Sequence, residues 1–558
     1  MIDETPRRVA ARRGFSVAYK GKTLLSTGDP VALAESAVAA ATKLRGPTLY
    51  FCPSPLYGYG LPLLLESMGE DSAVLCVEAD EKLLDLSAET IDGSVLANPR
   101  FLLTGAGDGA ALAALVRQTW GSRRFRRVEE LRLSGGRQLS PALYDALADA
   151  LRREIALDWG NAMTLVKLGR RYARNALGNL ALLPRSPPLS ALDFGAAPVL
   201  VLGAGPSLDG FLDGLAARFG DLGGGAGSFK IVCVDTALSC LYQRRIKPDL
   251  AVALESQHWN LRDFIGLGGW EIPLAMDLSA LGATGEMLGG RPLVFFTPWT
   301  CLTLFNRLKS ADLLPEEFPP LGSVGLSAAA IACRVSTGPV IVAGMDFAFS
   351  LDRTHARSAP AHLERLRGQT RFRSLIDPEG AFRKGCHGAL AKTGEPVRSN
   401  RTLKNYRDLF QREFAGQPGR VRDAAGPGLD LGLETLTVEA ACEVLAGGAD
   451  SKTAGGSRSK GAAATAAPGD AAKLRGFVEA EIAGLRRLRG VLSGESAEGA
   501  EQLGALLDRC GYLWAHFPDC AGAGGRRPAE TDLGFLKRAR AEIDPFIALL
   551  ETVLLRLD

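Results

Sequence analysis

The sequence predicts an α/β protein in three folded parts: a Rossmann-like N-terminal domain, a central α/β nucleotide-binding domain and a helical C-terminal domain. Three observations carry this expectation. Short apolar runs alternate with helical patterns through the first 445 residues, which is how parallel sheets with crossover helices read. One run leads straight into a glycine turn, GAGPS, at residues 203–207. Near residue 446 the composition collapses to small and polar residues, and a helical periodicity takes over beyond it. A chain of 558 residues also exceeds what one ordinary core can enclose.

The N-terminal domain is read as residues 1–157. Residues 48–52 (TLYFC) form a short apolar strand, 53–60 (PSPLYGYG) a turn and 61–68 a helix. A second strand covers 73–77 and ends on Glu78, with Asp80 beyond; a third covers 101–104. Gly58 and Gly60 after one strand, with an acid after the next, imitate a Rossmann cofactor site. The imitation lacks a third glycine, and prolines crowd the loop. This domain therefore reads as a degenerate Rossmann-like fold used for packing or acceptor recognition. A helical connector, residues 158–189, follows, with an apolar pattern over 158–183 that Pro184, Pro187 and Pro188 end.

The central domain is read as residues 190–445. Residues 198–202 (PVLVL) form a continuous apolar run, as expected of a strand covered on both faces. Gly203 and Gly205 permit a sharp turn and close approach to a phosphate. Ser207 is the candidate N-cap of a helix over 208–219, whose N-terminus favours an anion. Residues 223–228 (GGGAGS) read as a surface insertion. Further strands are expected at 230–234, 248–254, 273–276, 292–296 and 339–343. They run into Asp235-Thr236, Glu255, Asp277, Thr297 and Asp346. Ligands of open α/β sheets bind outside the carboxyl ends of the strands, so these residues form a candidate rim. Ser323 opens a helix over 328–334, where it either contacts a ligand or caps. His355 lies on the following loop as an exposed candidate acid–base group or an inert surface residue.

Residues 446–472 are too poor in apolar surface to offset their ordering entropy and read as a flexible linker. The helical C-terminal domain is read as residues 473–558. Leu474, Val478, Ile482, Leu485 and Leu488 mark one apolar face, and Ile543, Phe546, Leu550 and Val553 another. Core packing is the reading for both stripes.

Composition removes several function classes. The formal net charge of +3 offers no global polycation for nucleic acid, and the basic run SRRFRR at 122–127 is local. No apolar stretch suits a membrane span, and the start lacks a signal core. Ten cysteines, none in a CxxC pair, read as reduced core residues of a cytoplasmic protein. Five histidines without HExxH spacing argue against a zinc site, and no metal is expected.

Four blocks then stand out: GAGPSLD (203–209), VDTALSCLYQRRIKPDLAVALE (234–255), GSVGLSAAAIA (322–332) and GPVIVAGMDFAFSLDRTHA (338–356). Their order and spacing resemble the motility accessory factor family of bacterial flagellin glycosyltransferases, over about residues 199–356. The three-part layout is similar as well. In that family the central domain is sialyltransferase-like, with a GxGPS nucleotide loop. The archaeal hydroxymethyl-dihydropterin pyrophosphokinases are related and shorter, sharing the glycine turn and the PD-containing strand.

The resemblance implies transfer of a nonulosonic (sialic-acid-like) sugar from its CMP-activated form to Ser or Thr of flagellin, in support of flagellum assembly and motility. Gly203, Gly205, Pro206 and Ser207 would hold the CMP phosphate, and Asp235 and Thr236 would approach the nucleoside or sugar. Glu255, Ser323, Asp346 and His355 would line the sugar and acceptor side, with His355 or a rim acid as base. No cofactor is required beyond the CMP-sugar itself. Two departures are visible: Ala204 stands where sialyltransferase loops often carry Asn, and Glu255 where the family commonly has Asp. Two alternatives stay open. One is a pyrophosphokinase using ATP and Mg2+ on a pterin; the other is a non-enzymatic flagellin assembly factor with a vestigial pocket. On the phosphate-cradle reading, Gly205→Val with Ser207→Ala is expected to abolish nucleotide binding and spare the fold. The oligomeric state is left open.

Overall fold

The computed structural model describes residues 5–43, 46–105, 107–121, 124–223, 227–350, 353–372, 384–447, 470–495, 502–522 and 527–558. Most of the expected linker, part of the 223–228 insertion and the first two residues of the basic run lie outside them. The chain forms two compact units. The first comprises Met1–Arg170 and Trp514–Phe535, the second Arg171–Leu513 and Leu536–Asp558.

The first unit carries a small antiparallel sheet of β1 (Arg7–Ala10), β2 (Phe15–Tyr19) and β3 (Lys22–Thr23). Its main sheet is wholly parallel, in the order β6-β5-β4-β7. These strands are β4 (Thr48–Pro53), β5 (Ala73–Glu78), β6 (Phe101–Gly105) and β7 (Arg127–Glu130). Alternating residues serve opposite faces. Leu49, Phe51, Leu75 and Val77 pack with Leu112, Val116 and Tyr144. Tyr50, Cys52, Val74 and Cys76 pack with Leu61, Leu64 and Val95. Both faces are covered, which explains the unbroken apolar runs of β4 and β5.

The second unit is built on an eight-stranded sheet, parallel throughout, in the order β12-β11-β10-β9-β8-β13-β16-β17. Its strands are β8 (Val199–Leu202), β9 (Lys230–Val234), β10 (Leu250–Ala253), β11 (Leu274–Asp277), β12 (Pro292–Phe295), β13 (Val340–Ala343), β16 (Val421–Ala424) and β17 (Thr435–Leu436). A separate hairpin pairs β14 (Cys386–Leu390) with β15 (Pro396–Asn400). From β8 the chain winds outward to β12, then returns to the other flank of β8 as β13. The strand order therefore reverses between β8 and β13, the place where such sheets open a crevice.

Two expectations about helices change. The connector is the end of a longer helix, Pro141–Gly178, followed by 3-10 turns over Asn179–Arg185. The helix expected at 328–334 begins earlier and spans Val324–Val335. The last region contains Ala471–Leu492, Leu503–Arg509, Pro518–Gly522 and Leu533–Leu557. The expected apolar faces are buried, from Leu474 to Leu488 and from Ile543 to Val553. Helix Ala471–Leu492 is also held by charge. Its buried Glu481 takes hydrogen bonds from Arg307 and, at 2.8 Å, from the Tyr512 hydroxyl, with Arg509 at 3.4 Å. A carboxylate in that setting needs several charge-assisted donors.

No helix among the described residues is long and apolar enough to cross a membrane.

Candidate functional site

At the strand reversal, the turn after β8 meets the turn after β13. The Gly203 amide donates to the Ala343 carbonyl at 2.8 Å and the Gly205 amide to the Gly344 carbonyl at 2.9 Å. A Cβ on Gly203 would lie 2.4 Å from the Gly344 oxygen, and one on Gly205 2.5 Å from Asp346 Oδ2. The two glycines are thus required by the interlock of two loops. Gly205→Val consequently damages the fold itself, against the sequence expectation.

Ser207 also differs from its expected role. Its hydroxyl makes no capping bond to the helix Leu208–Phe219. Instead the amide donates to Asp346 Oδ2 at 2.7 Å and the hydroxyl donates to Asp346 Oδ1. Asp346 is buried, and burial pushes its carboxyl up, while the Ser207 bonds and the charges of Lys392 and Arg353 pull it back. A carboxylate of the chain itself therefore sits at the positive end of this helix. The loop after β16 closes over the pair: a Cβ on Gly426 would lie 2.6 Å from Ser207 Cβ, and one on Gly428 2.7 Å from Asp346 Cα. Pro206 is buried within this turn.

The ends of β9 and β10 are built differently. Asp235, at the end of β9, accepts from the Thr236 amide and the Asn260 side-chain amide, both at 2.8 Å. Asn260 Nδ2 also lies 3.3 Å from Asp263 Oδ2, and Thr236 Oγ1 lies 3.3 Å from Asp235 and 3.5 Å from Asp263. Two buried carboxyls thus share one amide and one hydroxyl. Burial first, then the charge of Asp235, pushes Asp263 up to about 7 against the pull of Arg262. Asp235 is raised too, chiefly by burial. Asn260 and Asp263 stand three apart on the 3-10 segment His258–Asp263, and that spacing brings side chains into line.

Glu255 is exposed and accepts from the Gln257 amide at 2.8 Å. Its charge acts on two phenols. Burial and Glu255 push Tyr172 up to about 12, and the same two causes raise Tyr406. Tyr406 lies beside Gly322, next to Ser323, whose side chain makes no capping bond. Asp277 is consumed by the fold: it accepts from the Ser279 amide and hydroxyl and from the Thr297 amide and hydroxyl.

His355, expected to be exposed, is half-buried. Its segment is tied back by the Ala356 amide on the Ala204 carbonyl at 2.9 Å, and by Arg353 and the Arg357 amide on Asp209. Burial, with the charges of Arg365, Arg262 and His362, lowers His355 to about 4.

The structure therefore gathers Ser207 with Asp346 and Asp235 with Thr236, while the charge of Glu255 reaches Tyr406, which lies beside Gly322. Sequence reasoning missed Asn260, Asp263, Tyr172 and Tyr406. Only the three-residue spacing in HWNLRD signalled the first two. Among the described residues no group of three or more His, Cys, Asp or Glu is placed to hold a metal.

Residues 174–352 match the family model described as 6-hydroxymethylpterin diphosphokinase MptE-like. That span holds β8 to β13 and the whole strand reversal. An uncharacterized protein of Treponema pallidum (strain Nichols) is 28% identical over 99% of this chain and 96% of its own length. Among solved structures, the MAf glycosyltransferase from Magnetospirillum magneticum AMB-1 superposes with a TM-score of 0.56 at 14% identity. That match covers 99% of this chain and 92% of the other. At this identity the likeness establishes a shared fold.

Proposed function

We propose that the protein is a glycosyltransferase that moves a nonulosonic sugar from a CMP-activated donor to Ser or Thr hydroxyls of flagellin in the cytoplasm. One observation carries the reading. Beyond β10, Ser256 Oγ, Asn260 Oδ1 and Asp263 Oδ1 are buried without a hydrogen-bond partner, and beyond β12 so is Trp299 Nε1, whose ring packs on Tyr172. Buried polar atoms are nearly always satisfied, so four orphans beyond the carboxyl ends of two strands of one parallel sheet suit a ligand rich in hydroxyls. The solved glycosyltransferase of the same fold supports the reaction class.

In this reading the sugar develops oxocarbenium character as its bond to the phosphate breaks, and the exposed Glu255 carboxylate offsets that charge. Ser323 and the phenols of Tyr172 and Tyr406 border the same region. The donor phosphate approaches the turn after β8, where it competes with Asp346 for the Ser207 donors. A second reading, an ATP- and Mg2+-dependent diphosphokinase, is favoured by the family model's description and by the paired Asp235 and Asp263 oxygens, which would hold the cation.

Titration of the full chain with CMP, and separately with ATP plus Mg2+, distinguishes the two. CMP binding that Ser207→Ala weakens is the expected result. Binding of ATP·Mg2+ with indifference to CMP would sink the transferase reading. In cells, flagellin co-expressed with the protein and the donor pathway should gain the mass of the sugar.

A further inference from the structure

The turn after β4 reads in sequence as an incomplete cofactor loop, but its surroundings carry the wrong charge for one. Gly58 and Gly60 both take positive φ, 64° and 86°. A Cβ on Gly58 would lie 2.8 Å from Leu61 Cδ1 and 2.9 Å from Ile91 Cγ1, and one on Gly60 3.2 Å from Ala34 Cβ. Packing inside the first unit therefore demands these glycines. Tyr57 and Tyr59, which flank Gly58, line a cavity of about 330 Å³ together with Glu35, Leu63, Ile91 and Asp92. That is the small end of the range for ligand pockets, about 300–1,000 Å³.

An anion has little to hold here. The helix after the turn, Leu61–Ser67, has only 7 residues, and Pro62 removes one of its first amides. Among the described residues, two carboxylates line the cavity and no Lys, Arg or His does. Each carboxylate keeps an oxygen in reserve. Glu35 Oε2 accepts from Arg13 Nη2 at 3.0 Å, and Arg13 Nε is spent on Asp29. Asp92 Oδ1 accepts from the Ser94 amide at 2.7 Å and the Ser94 hydroxyl at 2.5 Å, which hold its carboxyl below the usual range. Among the described residues, Glu35 Oε1 and Asp92 Oδ2 take no hydrogen bond.

The aromatic wall has the same preference. The rings of Tyr57 and Tyr59 stack at 5.6 Å and 30°, and the Tyr59 hydroxyl accepts from the Phe15 amide at 2.7 Å. Both rings are half-buried, so each keeps part of its surface open. Aromatic faces attract cations. The same ring group already holds one, since Arg8 lies 3.1 Å over the Phe15 ring and Phe15 packs 6.4 Å from Tyr57.

We propose that this cavity binds a small organic ammonium ion, its charge met by Glu35 and Asp92 and its carbon body by the two tyrosines, Leu63 and Ile91. The site is independent of the transferase reading: its residues belong to the first unit, and the strand reversal belongs to the second.

The test is calorimetry on the full chain with choline chloride as probe, beside dimethylbutanol, its uncharged tert-butyl isostere. Choline should bind saturably with Kd below about 1 mM. The isostere should bind at least about tenfold more weakly, because it lacks the charge that the acids and ring faces meet. Asp92→Asn keeps the helix cap, since Asn caps as well as Asp, and should weaken choline by about threefold or more. Tyr57→Leu should weaken it by about tenfold with CMP affinity unchanged. Should Tyr57→Leu fail to fold, judged by its melting curve, Asp92→Asn decides. Absence of saturable choline binding overturns the proposal. So does equal affinity for the uncharged isostere, which would make the cavity merely apolar, or displacement of choline by inorganic phosphate.

Discussion

The two parallel sheets of this protein end in acids, and both spend most of them on the chain's own donors. At the edge of the first, Glu78 accepts from the Ala79 and Asp80 amides and from the Tyr144 hydroxyl, at 2.8, 3.1 and 3.0 Å. Glu130 is met by Arg132, Arg137 and Arg152. The turn after β4 is filled as well, since a Cβ on Gly136 would lie 1.9 Å from Ser54 Oγ. In the second sheet, Asp277 and Asp346 are closed in the same manner, whereas Asp235 and Asp263 share their donors and leave acceptors empty. Strand topology is therefore a poor guide to where a ligand sits. Each edge also keeps a buried acid oxygen without a donor, Glu78 Oε2 in the first sheet and Asp263 Oδ1 in the second, so the supply of donors is no better guide on its own.

The largest effect expected from this contrast lies in the closed part of the second sheet. Buried Lys392 donates to the Asp423 carboxylate and, at 2.8 Å, to the Ala424 carbonyl. Lys392→Met strands Asp423 and should cost about 3–5 kcal/mol, read from urea denaturation. A loss below about 1 kcal/mol would mean that water reaches this edge after all. Next in size is Tyr144→Phe in the first sheet. It removes one donor from buried Glu78 and should cost about 1–3 kcal/mol. CMP affinity should not change, and a change would mean that the ligand reaches the first sheet.

The smallest effect is a slope with pH. Asp263 titrates at about 7 in the folded chain against 3.8 ordinarily, so the native state binds the extra proton between these values. Its contribution to stability is lost as pH rises through that window. His355, lowered from 6.5 to about 4, does the reverse and gains as pH rises from 4 to 6.5. The two slopes oppose each other in the wild type. Asp263→Asn should uncover the His355 slope, giving a melting temperature higher at pH 7 than at pH 5 relative to wild type. An unchanged difference between the two pH values would mean that Asp263 is ionised throughout.

Much of this architecture is legible in the sequence, because strands buried on both faces must be apolar throughout. β8 and β13 meet that condition, and β4, β5 and β9 meet it apart from Thr48, Glu78 and Lys230 at their ends. β7 (RVEE), β16 (VRDA) and β17 (TL) escape it. They lie at or beside a sheet edge, where partial exposure admits charges and removes the pattern. The acids at the strand ends are visible for the same reason, since each terminates an apolar run. Their fates are not visible. Whether Asp346 faces a ligand or Ser207, and whether Asp235 meets Asp263, depends on residues far away in the chain. His355 shows this most plainly, because a loop that reads as exposed is pulled inward by Asp209 and Ala204.

The bond between Ser207 and Asp346 has one more consequence, which concerns selectivity among anions. A carboxylate held on the same scaffold as its partner acts at a high effective concentration, so it outcompetes small anions drifting in from solution. Free phosphate or sulfate meets an occupied seat and has nothing else to hold. Only a ligand anchored elsewhere on the rim can bring its own anion to Ser207 at a comparable local concentration. On the proposed transferase reading, the helix start is then a filter, one that would answer to a phosphate attached to the right molecule and ignore one that arrives alone.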